Sequence, residues 1–126
     1  MKAAHKHKIK RVVLTSSIAA INMQRKANRK EVYSEKDWSD PAASAAYEKS
    51  KLLAETAAWD FLSKLPEDEK FELVTICPSV VLGPNICTSD FTSGAFIQKL
   101  LGEKLPGMAK IMFCFVDVRE VAYAHL

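Results

Sequence analysis

The chain has 126 residues, of which 48% are hydrophobic and 26% are charged, and its formal net charge is +3. This is an ordinary composition for one small globular domain. Four Gly and five Pro exclude a collagen-like chain, and no apolar run approaches the roughly 20 residues of a membrane helix. The opening MKAAHKHKIKR lacks the apolar stretch of a secretory signal, so we expect a cytoplasmic protein without membrane contact.

The positive charge is concentrated at the start of the chain, because residues 1–30 hold nine of the 18 Lys and Arg residues and no acid. Such a segment can bind nucleic acid. However, no aromatic residue for base stacking precedes Tyr33, so a solvated helix end is the favoured interpretation and no nucleic-acid partner is expected. His5 and His7 have no acid or thiol nearby in sequence, and the three cysteines lack paired spacing, so neither a metal site nor a disulfide is expected.

The first elements in chain order are a helix end and a strand. Residues 1–8 are expected to be the last turns of a helix, since their basic side chains complement the C-terminal end of the helix dipole. The β-branched run 11–15 predicts a strand buried on both faces, as in a parallel sheet. Residues 18–44 are expected to be irregular, with a turn at Asp40-Pro41.

A long amphipathic helix is predicted over about residues 45–65, ended by Pro66. At about 100° per residue, one stripe about 100° wide collects the side chains that are expected to face the core. They are Tyr47, Lys51, Ala54, Ala58, Phe61, Leu62 and Leu65. Leu52 and Trp59 fall outside this stripe, so they are expected to cover another element or a partner subunit, as in a homodimer.

A second strand is predicted over residues 71–76, ended by Pro78. Strand, helix and strand make a βαβ unit with a right-handed crossover, and therefore an α/β fold built on a parallel sheet. The predicted elements that follow are a loop over 83–89, a helix around 92–101, a loop over 102–107, a strand over 111–116 and a final helix capped by Asp117.

Tyr47 and Lys51 are the candidates for chemistry, because a lysine within an apolar stripe needs a reason to be there. Their i, i+4 spacing puts the side chains on adjacent helical turns, about 5–6 Å apart at Cβ. An ammonium at that range favours phenolate over phenol and would lower the tyrosine pKa. The phenol could then give a proton to a developing alkoxide. A surface lysine beside a packing tyrosine would also explain the spacing.

Three hydroxyl side chains, Thr15, Ser16 and Ser17, come at the end of the first predicted strand. Ligands of open α/β sheets bind at the carboxyl edge of the strands. A serine at this edge could hold a carbonyl oxygen beside the tyrosine, although these hydroxyls could equally cap the strand end.

Together these segments resemble a known family. A strand ending in TSS, the Y-x-x-x-K of the next helix, a strand running into CPSVVLGP and the later FVDVREVAYAH are similar to the extended short-chain dehydrogenases/reductases, in the dihydroflavonol and cinnamoyl-CoA reductase branch. The resemblance covers residues 12–126. It implies a partial Rossmann-like, doubly wound parallel sheet. It also implies an oxidoreductase that passes hydride between NADP (or NAD) and a small carbonyl or alcohol substrate.

The resemblance assigns roles by position. Tyr47 matches the catalytic acid/base, and Lys51 matches the lysine that tunes it and binds the nicotinamide ribose, so both contact the cofactor. Ser17 matches the catalytic serine that orients the substrate oxygen, with Ser16 as the fallback. Asn22 matches a position that touches substrate, although an ordinary turn asparagine would explain it equally.

Further cofactor contacts are implied after the second strand. Pro78, Ser79, Val80 and Val81 match the segment that lies against the nicotinamide ring, a role that needs only apolar contact and backbone hydrogen bonds. Ser93 matches a later cofactor contact. No metal is implied.

The family begins with a strand and a glycine-rich turn that cradles the pyrophosphate. The first glycine here is Gly83, so we expect residues 1–126 to be one partial NAD(P)-binding domain from within a longer reductase.

Other interpretations stay open. A non-catalytic homologue could keep the scaffold and act as an interaction module, and the coding sequence upstream of Met1 would decide between the two. Epimerase or dehydratase chemistry uses the same tyrosine and lysine. Nucleic-acid binding by the basic front end would be tested by a salt-dependent titration.

Overall fold

A computed structural model describes residues 1–86, 92–102, 107 and 113–126, in two compact units, Met1–Cys77 and Pro78–Leu126. The elements in chain order are α1 (Lys2–Lys6), β1 (Arg11–Thr15), α2 (Ala46–Ser63), β2 (Glu72–Ile76), β3 (Val80–Leu82), α3 (Thr92–Leu101), β4 (Phe115–Asp117) and α4 (Val118–Ala124), with 3₁₀ turns at Ile18–Ala20, Lys26–Asn28 and Glu67–Glu69. Parts of the predicted 83–89 and 102–107 loops, residues 111–112 of the predicted strand, and Cys87 lie outside the described residues. Across the described ranges, none of the helices is long and apolar enough to cross a bilayer.

The first unit contains the predicted βαβ arrangement. β1 and β2 pair in parallel, with Arg11 opposite Glu72 and Thr15 opposite Ile76. α2 connects them and begins and ends within two residues of the predicted bounds. The ladder continues one residue past β1, where the Ser16 amide donates to the Ile76 carbonyl at 2.7 Å. Because the strands are parallel, their carboxyl ends lie at the same edge of the sheet.

The prediction that the first strand is buried on both faces is wrong. The three central residues of β1 are only half-buried. Successive side chains of a strand point to opposite faces, and in β2 Leu73 is 8% exposed whereas Val74 is 43% exposed. The apolar run of β1 is continuous, so the sequence shows no alternation that would distinguish a covered face of the sheet from an exposed face.

The predicted core stripe of α2 is correct for Ala58, which is buried, but wrong for Tyr47 and Ala54, which are exposed. The buried side chains of the helix are Leu52, Glu55 and Ala58, each 4% exposed, whereas Tyr47 is 60% exposed. The buried face is therefore centred on Glu55, roughly 80° around the helix axis from Tyr47. The predicted stripe did not include Glu55, and carboxylates are rarely buried. Leu52, which was placed outside the stripe, lies in the core.

The irregular segment after β1 is held in place by a buried serine, Ser39. Its amide donates to the Ala20 carbonyl at 2.9 Å. Its hydroxyl donates to the Ala19 carbonyl and accepts from the Met23 amide, each at 2.8 Å. These bonds fix the path of the chain beside the end of β1, before α2 begins.

The second unit contains a second parallel pair, in which Val80 of β3 lies opposite Phe115 of β4 and Leu82 lies opposite Asp117. β3 was not predicted, because a run of three apolar residues is too short to distinguish from a loop. The predicted helix over 92–101 is confirmed as α3.

The last helix, α4, begins where it was predicted to begin. The Asp117 carboxylate accepts from the Arg119 amide at 2.8 Å, which confirms Asp117 as the N-cap. The Arg119 guanidinium pairs with the same carboxylate, at 2.7 Å between Nη2 and Oδ2.

Replacing Gly83 by alanine should destabilise the second unit by about 1–3 kcal/mol. Gly83 has φ of +143°, and a Cβ there would lie 2.7 Å from Val118 Cγ1. Gly107 is the matched control, because a Cβ there meets no atom within 4 Å. We expect urea unfolding to give a lower free energy for Gly83→Ala than for Gly107→Ala. Equal values for the two variants would contradict the close approach of Gly83 to α4.

The cap of α4 should be lost in acid. Hydrogen bonds from Arg119 hold the pKa of Asp117 well below its usual 3.8, at about 2. A carboxyl whose pKa is lower in the folded state stabilises that state above its unfolded pKa, and the contribution disappears as the pH falls through the folded pKa. We therefore expect backbone chemical shifts to report weakening of α4 between about pH 4 and pH 2. Asp117→Asn keeps a capping oxygen but does not titrate, so its shifts should stay flat. An Asp117 midpoint near 3.8 would contradict the Arg119 contact.

Candidate active site

The hydroxyl-rich end of β1 lies at the carboxyl edge of the parallel pair. Ser16 and Ser17 are both buried. Ser17 caps the 3₁₀ turn Ile18–Ala20, where its Oγ accepts from the Ala19 amide at 3.2 Å. Within the described part of the chain the Ser17 hydroxyl donates no hydrogen bond, so its proton is available to an acceptor. Ser17 therefore caps this turn and can still donate to a ligand oxygen.

A buried carboxylate, Glu55, lies behind this strand end. Its Oε2 accepts from the Ser16 hydroxyl and lies 3.7 Å from the Cys77 thiol sulfur, which follows β2. Its Oε1 accepts from the indole of Trp59, one turn further along α2, at 3.4 Å. Glu55 thus connects the ends of both strands of the first unit to the helix that links them.

The Cys77 thiol is affected by this environment. Burial raises the pKa of Cys77 above its usual 9.0, and the negative charge of Glu55 raises it further. The Ser16 side chain and the Ser17 backbone oppose the shift and lower the pKa. The net direction is upward, so the thiol stays protonated near neutral pH and is a poor nucleophile.

Tyr47 and Lys51 lie on adjoining turns at the start of α2, as their spacing predicted. The Lys51 ammonium is 6.0 Å from the centroid of the Tyr47 ring, within cation–π range. The Tyr47 carbonyl accepts from the Ser50 hydroxyl at 2.6 Å. Tyr47 is largely exposed and Lys51 is half-buried, so the phenol can be reached by a ligand.

Asn22 lies in the irregular segment just beyond the 3₁₀ turn at Ile18–Ala20. Its backbone amide donates to the Ile18 carbonyl at 3.0 Å. Its side-chain Oδ1 is buried and has no hydrogen-bond partner among the described residues. A buried acceptor without a partner is unfavourable unless a ligand or water supplies a donor, so Asn22 is suited to bind a donor group of a ligand.

The segment predicted to face the nicotinamide lies in the second unit. The Ser79 hydroxyl and the Val80 amide both donate to the Cys114 carbonyl, the latter at 3.2 Å, and Pro78 precedes them, half-buried. Val81 and Ser93 line one cavity of about 330 Å³, together with Val118 and the turn at Gly83-Pro84. Two of the predicted cofactor residues, Val81 and Ser93, therefore share one concave, partly apolar surface.

Among the described residues, no group of three or more His, Cys, Asp or Glu side chains could hold a metal ion.

Glu55 is the residue of this region that the sequence analysis missed. A signal was present, because Lys51, Glu55, Ala58 and Leu62 follow the i, i+4, i+7, i+11 spacing of one helical face. A carboxylate in the middle of such a face indicates a buried acceptor whose donors come from other elements.

No family model matches the chain. Individual relatives do, over nearly its whole length. An NADPH-dependent methylglyoxal reductase of Saccharomyces cerevisiae is 36% identical over 94% of this chain. A cinnamoyl-CoA reductase of Medicago truncatula is 37% identical over 94%, and a ketoreductase of Aspergillus niger is 37% identical over 93%. The chain spans only 36–39% of the length of these relatives.

The fold comparison gives the same result. Vestitone reductase from alfalfa (Medicago sativa) superposes with a TM-score of 0.71 and 30% sequence identity, over 98% of this chain and 41% of that protein. The resemblance to the dihydroflavonol and cinnamoyl-CoA reductase branch is therefore confirmed, as is the Rossmann-like α/β fold class.

Cys77 should titrate at high pH. Because burial and Glu55 both raise the thiol pKa above 9.0, we expect its alkylation rate to reach half its maximum above pH 9. Iodoacetamide labelling followed by peptide mass spectrometry would measure this midpoint, with the exposed Cys114 as the accessible reference in the same sample. A Cys77 midpoint below pH 9 would contradict the position of Glu55 beside the thiol.

Proposed function

We propose that this chain forms the catalytic and nicotinamide-facing segment of an NADP(H)-dependent reductase acting on a small ketone or aldehyde, or on the corresponding alcohol in reverse. The reductase relatives support the reaction class, and the NADPH dependence of the yeast relative supports the choice of NADP(H). The observation that carries the proposal is the Lys51 ammonium 6.0 Å from the Tyr47 ring, beside an exposed phenol.

Proton transfer is assigned to Tyr47. When a carbonyl carbon gains hydride, its oxygen becomes an alkoxide that takes a proton, and the Tyr47 phenol donates it. The phenolate that remains is stabilised by the positive charge of Lys51 on the adjoining turn. In the reverse direction the phenolate removes the proton of the alcohol. Both residues lie in the first turns of one helix, so their separation is fixed by helix geometry rather than by a loop.

We assign binding of the substrate oxygen to Ser17. Its Oγ accepts from the Ala19 amide, and its own proton is available to a carbonyl oxygen. Asn22 is assigned to substrate because its buried Oδ1 has no partner in the described residues and would accept from a substrate hydroxyl. Ser17 and Asn22 are five residues apart and are joined by the 3₁₀ turn that Ser17 caps.

The residues of the second unit fit a nicotinamide. Val80 and Val81 offer apolar contact, and the cavity that Val81 shares with Ser93 has one hydroxyl for a polar group. When bound, NADP(H) supplies or accepts the hydride. Pro78, Ser79, Val80, Val81 and Ser93 would hold its nicotinamide end, and Lys51 would donate to the ribose.

Replacing Tyr47 by phenylalanine in the full-length protein that contains this segment should lower kcat by roughly 10²–10⁴-fold, the usual contribution of a general acid. The KM for NADPH should change little, because the ring and its packing remain. NADPH oxidation over a panel of small aldehydes and ketones measures both constants.

Tyr123→Phe is the matched control, because Tyr123 is a comparably exposed tyrosine of α4 with no assigned role, and it should leave kcat unchanged. If Tyr47→Phe keeps wild-type turnover, Tyr47 is not the acid. If the unaltered protein oxidises NADPH with no carbonyl of the panel, the interaction-module interpretation replaces this proposal.

A further inference from the structure

Glu55 is a titratable side chain that the proposed reaction does not use, and it is 4% exposed in the middle of α2. A carboxylate out of water is strongly unfavourable unless its oxygens are hydrogen-bonded or paired with a cation. Among the ion pairs of the described residues none includes Glu55. Its stabilisation comes from neutral donors instead.

Those donors come from three different parts of the first unit. Ser16 follows β1, Cys77 follows β2 and Trp59 lies on α2 itself, and each directs its N–H, O–H or S–H at a Glu55 oxygen. An ionised carboxylate accepts and cannot donate, so it fixes the direction of all three hydrogens. The Ser16 hydroxyl is therefore turned inward and away from any ligand.

Ser16 is held from two sides as a result. Its amide donates to the Ile76 carbonyl at 2.7 Å, and its hydroxyl donates to Glu55. The Cys77 sulfur, which follows β2, lies 3.7 Å from the same Glu55 oxygen that accepts from Ser16. The Ser16 backbone is thus tied to β2 and its side chain to α2, and these two bonds set the direction in which Ser17 leaves the strand.

We propose that Glu55 is a positioning residue for Ser17: by holding Ser16, it presents the Ser17 hydroxyl toward the substrate oxygen. This inference rests on the proposed function, because it assumes that Ser17 orients a carbonyl. It assigns Ser16, the fallback candidate for the catalytic serine, to the supporting network. It also accounts for a carboxylate on the buried face of the helix that carries Tyr47.

The test uses Glu55→Gln in the full-length protein. Glutamine keeps the volume but replaces one acceptor oxygen by a donor NH₂, so at least one of the three donors loses its partner. We expect kcat to fall about 10- to 100-fold, the equivalent of losing a hydrogen bond to a charged group. The KM for NADPH should stay within about twofold, since no cofactor residue is altered. Asp60→Asn also replaces a carboxylate by an amide, but on the exposed side of α2, and it should leave kcat unchanged.

The kcat values of Ser16 variants distinguish a positioning role of Glu55 from a purely structural one. Ser16→Ala should lower kcat as Glu55→Gln does, and the double variant should be no worse than either single variant, because both changes break the same contact. Ser16→Thr keeps the hydroxyl and should retain most of the activity. Additive losses in the double variant, or a kcat for Glu55→Gln within twofold of wild type, would overturn the proposal.

Thiol labelling separates this proposal from the proposed function, because it needs no activity. Glu55→Gln removes the charge beside Cys77, so the midpoint of Cys77 alkylation should move to lower pH in the folded protein. An unmoved midpoint would overturn the assignment of Glu55 as the charged anchor of this cluster. If Tyr47→Phe abolishes turnover while Glu55→Gln does not alter it, the positioning role fails and the reductase proposal stands. If the unaltered protein oxidises NADPH with no carbonyl of the panel, the reductase proposal itself fails.

Discussion

The first unit depends on how a buried carboxylate, that of Glu55, is stabilised when no cation of the described residues pairs with it. Glu55 has a hydroxyl, an indole and a thiol around it, contributed by the residues after β1, by α2 itself and by the residue after β2. This requirement fixes which face of α2 is turned inward. Once Glu55 faces the core, Leu52 and Ala58 are buried with it, and Tyr47 is turned toward the surface. A hydrophobic stripe alone would have allowed the helix to rotate, whereas the contacts of Glu55 with Ser16 and Cys77, which lie outside the helix, fix its orientation.

In each unit the carboxyl ends of the parallel strands lead directly into a turn or a capped helix. In the first unit, Ser16 and Ser17 follow β1 and Cys77 follows β2. In the second unit, Gly83 follows β3, and its positive φ and the absence of a Cβ let the chain turn against Val118. Strand ends leave peptide groups without ladder partners, and the chain satisfies them with short side chains such as those of Ser17 and Asp117. The same geometry leaves room for a ligand, which is why open α/β sheets bind ligands at this edge.

Much of this arrangement could be predicted from the sequence, and the errors have physical causes. The β1–α2–β2 order, the cap at Asp117 and the Tyr47–Lys51 pairing follow from local patterns, because helix periodicity, proline stops and capping residues act over a few positions. The partners of Glu55 could not be predicted in this way. Ser16 lies 39 positions before it and Cys77 lies 22 positions after it, and no local pattern reports donors at such separations. β3 was missed because a strand of three residues is defined by its pairing with β4, which is distant in sequence.

The exposure of Tyr47, which contradicts the predicted stripe, suits the role proposed for it. A phenol committed to the core would have its hydroxyl occupied by protein partners and could not exchange a proton with a ligand. A carboxylate that fixes the direction of neighbouring groups needs to be buried, because solvent would compete for its donors and weaken each hydrogen bond. α2 meets both requirements by placing Tyr47 and Glu55 about 80° apart around one axis. The helix backbone joins the two, so the buried Glu55 can fix the orientation of the helix while the Tyr47 side chain stays exposed. On this helix, therefore, the residue proposed to react is exposed and the residue proposed to position its neighbours is buried.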